Sequence, residues 1–245
     1  MNKNTYQRRF YRDWVSAKDL YNNRLVCQET DLQILTDKPV DQEWISAKVV
    51  WYRRQIEGYI WRDKRFLTAL KPIAIEVNAP VVVKEMVSAA RKANVGPMAA
   101  VAGAIAEAVA RLLLKQGYRD VIIENGGDIF LATTKIRTVS IYAGKSSLWK
   151  GLSLKILAQQ SPLGICTSSG TIGHSLSFGC ADSVTILARH AALADAVATA
   201  TGNRVHSQSD LPKALDFARS IKGVLGAVII IGRHLASFGA VEFVS

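Results

Sequence analysis

Asp195 and Thr199 stand four residues apart in Ala194-Asp-Ala-Val-Ala-Thr-Ala-Thr-Gly-Asn203, a stretch otherwise made mostly of small residues. On a helix this spacing puts a carboxylate and a hydroxyl on one face, about a turn apart. The small neighbours let such a helix pack closely and draw its Asp inward. Carboxylate and hydroxyl oxygens are hard donors of the kind Mg²⁺ takes, together with waters and substrate phosphates. An Asp that only interacts with a helix dipole can show the same spacing, and both readings stay open at this level.

Three further segments carry reactive groups. In Asn125-Gly-Gly-Asp128, Gly126 and Gly127 can take positive φ and let backbone approach a ligand with no Cβ in the way. Asp128 can then hold a ribose hydroxyl or a metal-bound water. The same four residues also suit a plain hairpin turn. Gly164-Ile-Cys-Thr-Ser-Ser-Gly170 reads as a strand running into a hydroxyl-rich loop. Thr167, Ser168, Ser169 and Gly170 would cradle a phosphate or carboxylate. The P-loop pattern Gly-x-x-x-x-Gly-Lys-Ser is absent. Cys166 and Ser168 are formal nucleophiles, but Cys166 reads as a small buried side chain, and sequence pairs no base with Ser168. Gly173-His-Ser-Leu-Ser-Phe-Gly179 sets His174 among hydroxyls in a glycine-bounded loop. That makes His174 the best general acid–base candidate. His190, His206 and His234 read as surface or packing residues.

The elements that must position these groups can be read from periodicity. Arg24-Leu-Val-Cys and Asp31-Leu-Gln-Ile-Leu predict short strands within residues 1–35. From Asp41, Trp44, Ile45, Ala47, Val49, Tyr52, Ile56, Tyr59 and Ile60 recur at helical spacing, predicting a helix that ends near Asp63. Asn78-Ala-Pro predicts a helix start with Asn as cap and Pro in the first turn, the helix running to about Asn94. Gly96-Pro97 opens a second helix, Met98 to Gln116, small and apolar nearly all round and so buried on most sides, with Gly117 closing it. Short strands follow at Val121-Ile-Ile, Ile129-Phe-Leu, Thr138 to Tyr142, Leu152 to Leu157 and Val184 to Leu187. Helices are predicted over His190 to Ala200 and Leu211 to Ile221, the second capped by Asp210. Val228 to Ile231 and Val241 to Val244 are predicted to close the chain as a hairpin around Gly232. This order predicts an α+β fold, a mixed and mainly antiparallel sheet packed by several helices. The 245 residues suit one domain spanning 1–245, or two intimately packed lobes.

Composition limits the function classes. Half the chain is apolar and a fifth charged, an ordinary globular balance. No apolar run approaches the roughly 18 residues of a membrane span, and the N-terminus has no h-region of a signal peptide. Cys27, Cys166 and Cys180 are too few and scattered for a disulfide framework, which points to a reducing cytoplasm. The formal charge of +11 favours anionic partners. Much of it sits in Arg8, Arg9, Arg12, Arg53, Arg54, Arg62, Lys64 and Arg65. No nucleic-acid motif accompanies it, so a solvated basic face is the reading preferred over nucleic-acid binding.

The segments from Met98 to Asn203, in this order, resemble the ApbE-like superfamily, whose best-known members are FAD:protein FMN transferases. The likeness is strongest at Asn125-Gly-Gly-Asp-Ile, Thr167-Ser-Ser-Gly and Ala194-Asp-Ala-Val-Ala-Thr. The chain is more similar still to an uncharacterised branch found in methanogens and other anaerobes. That branch shares the Thr-Ser-Ser-Gly-Thr-x-Gly-His-Ser-Leu-Ser-Phe-Gly stretch. The resemblance implies a T-fold-like core and an Mg²⁺ site at Asp195 and Thr199, joined by a backbone carbonyl near Val101 to Gly103. It also implies a flavin nucleotide, FAD or FMN, bordered by Gly126, Gly127 and Asp128, and an acceptor protein for transfer. The transferases carry Ala-Lys-Gly where this chain has Val101-Ala-Gly103, and an Asp where it has Glu107. Their His-Ile-x-x-Pro motif and N-terminal FAD-binding segment are not recognisable here.

Three readings remain at this level. One is an Mg²⁺-dependent enzyme acting on a nucleotide or flavin phosphoanhydride, with His174 moving protons and Asp195 and Thr199 holding the metal. The second is a flavin- or nucleotide-binding protein that has lost transfer chemistry. The third is an interaction protein that docks an acidic partner through its basic N-terminal region. Sequence leaves homo-oligomerisation open.

Overall fold

The computed structural model describes residues 17–141, 149, 151–169, 178–239 and 241–244. Its strands are β1 (Tyr21–Cys27), β2 (Thr30–Thr36), β3 (Val121–Asn125), β4 (Asp128–Ala132), β5 (Arg137–Ser140), β6 (Ser153–Ile156), β7 (Leu163–Ser168), β8 (Ser183–Ala188), β9 (Val224–Ile231), β10 (His234–Gly239) and β11 (Glu242–Val244). Its helices are α1 (Gln42–Arg62), α2 (Arg65–Thr68), α3 (Val81–Ala93), α4 (Val101–Lys115), α5 (Ala191–Gly202) and α6 (Leu211–Ser220). An eight-stranded sheet runs β1-β2-β3-β4-β7-β8-β9-β10, and a three-stranded sheet runs β11-β6-β5. Every described pairing is antiparallel, so the expected mixed α/β class holds with a sheet more uniform than predicted.

Strand alternation builds two cores. Val121, Ile123, Phe130, Val184, Ile186 and Ile229 face the helical layer, while Ile122, Ile129, Leu131, Leu187, Val228 and Ile230 face the smaller sheet. Adjacent residues thus go to opposite sides of the large sheet, as the two-residue strand period requires. Both faces are covered, which is why these strands read as continuous apolar runs. On the helical side, α4 packs on β3 and β4, α5 on β7 and β8, and α6 on β9 and β10.

Several local predictions change. Pro80 is itself the N-cap of α3, with ψ of 150°, so the helix starts one residue later and Asn78 does not cap it. The second predicted helix opens as a 3-10 turn, Pro97–Ala100, before α4 begins. Asp210 precedes α6, but its carboxylate accepts the N–H groups of His206 and Ser207 at 3.0 and 2.9 Å and is spent on the turn before the helix. The closing hairpin is β9 with β10. Gly239, at φ of 87°, then turns the chain away, and Glu242–Val244 pairs with β6 in the other sheet. A Cβ at Gly239 would fall on the Leu225 carbonyl.

Two broader expectations also change. The segment Pro97–Lys115, with mean hydropathy 1.6, is apolar enough by composition to cross a membrane although Glu107 and Arg111 interrupt it. In the fold, 61% of its most apolar window is buried inside the protein. Arg53 is not part of a solvated face. Its guanidinium lies 2.6 Å from Glu29 and 3.0 Å from Glu57, with the side chain only 12% exposed. Arg54, its neighbour, is exposed.

Candidate functional site

The site is organised by one crossing point, Ala191, the first residue of α5. Helix α4, helix α5 and strand β7 meet there more closely than side chains permit. A Cβ on Gly164 of β7 would overlap the Ala191 backbone, and one on Gly103 of α4 would fall on the Ala191 carbonyl and lie 3.0 Å from Asp195 Cβ. Both glycines are required by this approach rather than by any turn. The Cys166 thiol donates to the Ala191 carbonyl at 3.3 Å, and Glu107 Oε2 accepts the Ala191 N–H at 2.7 Å. The Ala-rich composition of α5 is thereby explained: nearly every residue from Ala191 to Gly202 is buried.

Asp195 stands one turn further along α5 and reaches the first turn of α4. Its Oδ2 accepts the Gly103 N–H at 3.0 Å. The early N–H groups of a helix have no intrahelical partner, and the residue before α4, Ala100, offers no side-chain cap. Asp195 therefore caps a helix other than its own. The helix start that Asp195 meets is that of α4, not of its own helix α5. The Asn125 amide donates to the Ala102 carbonyl at 3.1 Å, so the β3–β4 turn is tied to the same first turn of α4.

That turn is a two-residue hairpin connection. Gly126 and Gly127 have φ of 68° and 101°, and Asn125 pairs with Asp128. Positive φ at both central residues is the geometry that suits a twisted hairpin. The Gly127 N–H donates to Glu124 Oε1 at 2.7 Å, which braces the turn from below. Asp128 sits across from Cys166 in the β4–β7 register. Its carboxylate is driven well above the ordinary range, first by burial and then by the charge of Asp195, with Glu124 adding to it; hydrogen bonds from the Cys166 thiol and the Thr167 backbone act the other way. Burial likewise pushes Asp195 up to about 7, opposed by the Gly103 and Ala102 N–H groups. The Cys166 thiol is pushed up by burial and by both carboxylates. It stays protonated and is a packing group, as its sequence context indicated, not a nucleophile.

Thr167 and Ser168 end β7 beside this turn. Thr167 Oγ1 is 2.9 Å from Thr185 Oγ1. A Cβ on Gly202 would lie 3.7 Å from Ser168 Oγ, so the hydroxyl end of β7 faces the last turn of α5. The fold thus gathers Gly126, Gly127, Asp128, Thr167, Ser168 and Asp195 around the C-terminal end of β7 and the α4–α5 crossing. Ser169 and Thr199 are partly exposed. His174 and Gly170 lie outside the described residues. A groove of about 390 Å³ between Ile75–Val77 and α3 shares none of these residues.

From the sequence, Glu107 stood out only as a departure from the transferases and His190 only as a surface or packing residue. Glu107 is buried, and besides the Ala191 N–H it takes Arg111 Nε at 2.8 Å and lies 2.9 Å from His190 Nδ1. His190 therefore has a specific polar partner and is not merely a surface residue. A charged residue inside an otherwise small, apolar helix was the available signal.

The two raised carboxylates set a pH dependence. Their folded-state values exceed those of the unfolded chain, where an Asp titrates near 3.8. The stability they contribute is whole below that range and is lost as pH rises toward about 7. In EDTA, the melting temperature is expected to fall between about pH 4.5 and pH 7.5, and Asp195→Asn should flatten that fall. A wild-type slope no steeper than the variant's would show that the pair is not desolvated.

The antiparallel sheet with its helical layer, carrying the glycine turn, the hydroxyl-rich end of β7 and Asp195 on an Ala-rich helix, shares the fold of the ApbE flavin transferases. Residues 12–237 match the sequence model of the family described as AbpE bacteria, and the chain belongs to that family. It is 40% identical over 212 residues to a UPF0280 protein of Methanocella arvoryzae, covering 86% of each chain. It is 40% identical over 225 residues to one of Methanothermobacter thermautotrophicus, covering 89% of this chain and 85% of that protein. The flavin transferase ApbE of Vibrio cholerae aligns with a TM-score of 0.57 at 14% identity, over 90% of this chain and 98% of that one. The apo flavinyl transferase ApbE of Pseudomonas stutzeri gives 0.56 at 13%, over 89% and 94%. At these identities the likeness to the solved structures is one of fold.

Proposed function

We propose that this chain binds a flavin or another nucleotide through its phosphates together with Mg²⁺, and that it cleaves a phosphoanhydride in the manner of an FMN transferase. The observation that carries this reading is the pair Asp128 and Asp195. Two carboxylates converge in a buried place, each raised above its ordinary range, and neither has an ion-pair partner among the described residues. Burying such a pair is costly unless a cation compensates it. The donors are hard oxygens, which suits Mg²⁺. Asp195, Thr199 and Asp128 would hold it, with the Ala102 carbonyl as a further oxygen nearby. Bound there, Mg²⁺ would supply charge neutralisation for phosphate oxygens.

The chain's own groups would do the rest. Gly126 and Gly127 leave room for a phosphate or ribose to approach the backbone. Glu124 fixes the turn that presents them. Thr167, Ser168 and Ser169 offer hydroxyl donors to phosphate oxygens. Asp195, held by the Gly103 N–H at 3.0 Å, would present its carboxylate to the cation. In a complete transfer FAD would give FMN to a hydroxyl of an acceptor protein and release AMP. The cytoplasm is the proposed location, consistent with Cys27, Cys166 and Cys180 all being free thiols.

Mass spectrometry of natively purified protein should detect a bound flavin or nucleotide. Calorimetry should give Mg²⁺-dependent heat with at least one of FAD, FMN, ATP and AMP. Absence of heat for all four, with and without Mg²⁺, would remove this reading. A second reading, binding without turnover, is favoured by one feature: Val101-Ala-Gly103 lacks the lysine of the transferases it resembles. Under it the same heats appear, but FAD with Mg²⁺ yields neither AMP nor a flavinylated acceptor. Docking through the basic N-terminal region is less well supported, since Arg53 is already held by Glu29 and Glu57.

A further inference from the structure

We propose that Glu107 is a positioning residue for the candidate site: it fixes α5 against α4 and so determines where the Asp195 carboxylate stands. The geometry is reciprocal. Helix α4 offers Gly103 and Glu107, one turn apart, and α5 offers Ala191 and Asp195, also one turn apart. Asp195 accepts the N–H of Gly103 at 3.0 Å, and Glu107 accepts the N–H of Ala191 at 2.7 Å. Each helix thus supplies the carboxylate that caps the other's first turn, where N–H groups lack intrahelical partners. Neither helix has a side-chain cap from its own preceding residue.

The clamp has little slack. Gly103 cannot carry a Cβ because Ala191 fills the space, and Gly164 seals the other side of Ala191. Glu107 is oriented in turn by Arg111, 2.8 Å from its Oε1, and by His190 Nδ1 at 2.9 Å. It touches no group proposed to meet the ligand, so it acts through α5 alone. The inference rests on the functional reading given above for its consequence, but not for its geometry. Without Glu107, the start of α5 loses its cap and Asp195 loses its fixed approach to Gly103.

Two measurements test it on the whole chain, with Mn²⁺ as the probe metal. The first is Mn²⁺ affinity by electron paramagnetic resonance. The second is the NMR shift of the Gly103 amide proton, which reports the bond to Asp195 with no metal present. Glu107→Ala is expected to weaken Mn²⁺ binding about 10–100-fold, the usual cost of losing a group that orients a ligand, and to move the Gly103 amide upfield. Glu107→Gln keeps an oxygen for the Ala191 N–H and should recover most of both signals. Val139→Ala, in the core against the smaller sheet, serves as a destabilised control and should alter neither. Unchanged Mn²⁺ affinity and an unchanged Gly103 shift in Glu107→Ala would reduce Glu107 to a packing role and overturn the proposal. If wild type binds no Mn²⁺, the functional reading fails, while the Gly103 shift still decides the clamp.

Discussion

Asp195→Asn is expected to abolish cation-dependent nucleotide binding while leaving the fold in place. The asparagine carboxamide oxygen can still accept the Gly103 N–H that Asp195 Oδ2 takes at 3.0 Å, so α4 keeps its cap. What disappears is the negative charge beside Asp128. A hard divalent cation depends on such charge, and losing one of two carboxylates should weaken Mg²⁺ affinity by about 100-fold or more. The variant should also melt at least as high as wild type in EDTA, because one desolvated carboxylate is gone from a crowded pair. Titration calorimetry with Mg²⁺ and FAD, run beside a thermal melt, separates the two effects. Retained Mg²⁺-dependent binding in a folded Asp195→Asn protein would mean that the site lies elsewhere. Asp195→Ala differs: it removes the cap as well, at a cost of about 1–2 kcal/mol.

The largest stability effect is expected at Gly164. Its missing Cβ would overlap the backbone of Ala191, which cannot retreat. The Ala191 N–H is held by Glu107 and its carbonyl by Cys166. Overpacking against a fixed backbone typically costs 1–3 kcal/mol and sometimes more, so Gly164→Ala should cost about 3 kcal/mol or more, roughly 6–12 °C in melting temperature at this chain length. The displaced α5 should take Asp195 with it and weaken cation binding. Gly58→Ala is the matched control. It lies inside α1 with nothing within 4 Å of the added methyl, and helix propensity alone should stabilise it by about 0.5–1 kcal/mol. Equal melting temperatures for Gly164→Ala and wild type would show that the crossing at Ala191 is looser than these contacts require.

Much of the fold was legible in the sequence because patterning is local. The helical spacing from Trp44 to Ile60 located α1 to within a residue or two, and its Asp41 cap accepts the Trp44 N–H at 3.0 Å. The apolar runs found β3, β4, β7 and β8. Errors fell where a local group had two uses. Asp210 could cap a helix or a turn, and the turn took it. Val241–Val244 could continue one sheet or join another, and Gly239 sent it to the second. The candidate site was legible as segments, since glycine pairs, hydroxyl runs and an Asp in a small-residue helix are visible one at a time.

By itself, then, the sequence determined the antiparallel α+β class, the family likeness, and most of the residues brought together at the proposed site. Only the tertiary structure decided what Asp195 touches and why its helix is built from Ala and Gly. Those answers depend on an approach between residues 103, 164 and 191, far apart in the chain, where the absence of a side chain carries the information. The same holds for Glu107. Its isolated charge in α4 is visible in the sequence, but its partner, the Ala191 N–H, is a backbone group that no residue type announces. The opening pair, Asp195 and Thr199, thus becomes a carboxylate that caps a neighbouring helix close to Asp128, with Glu107 one turn further along the same face of α4.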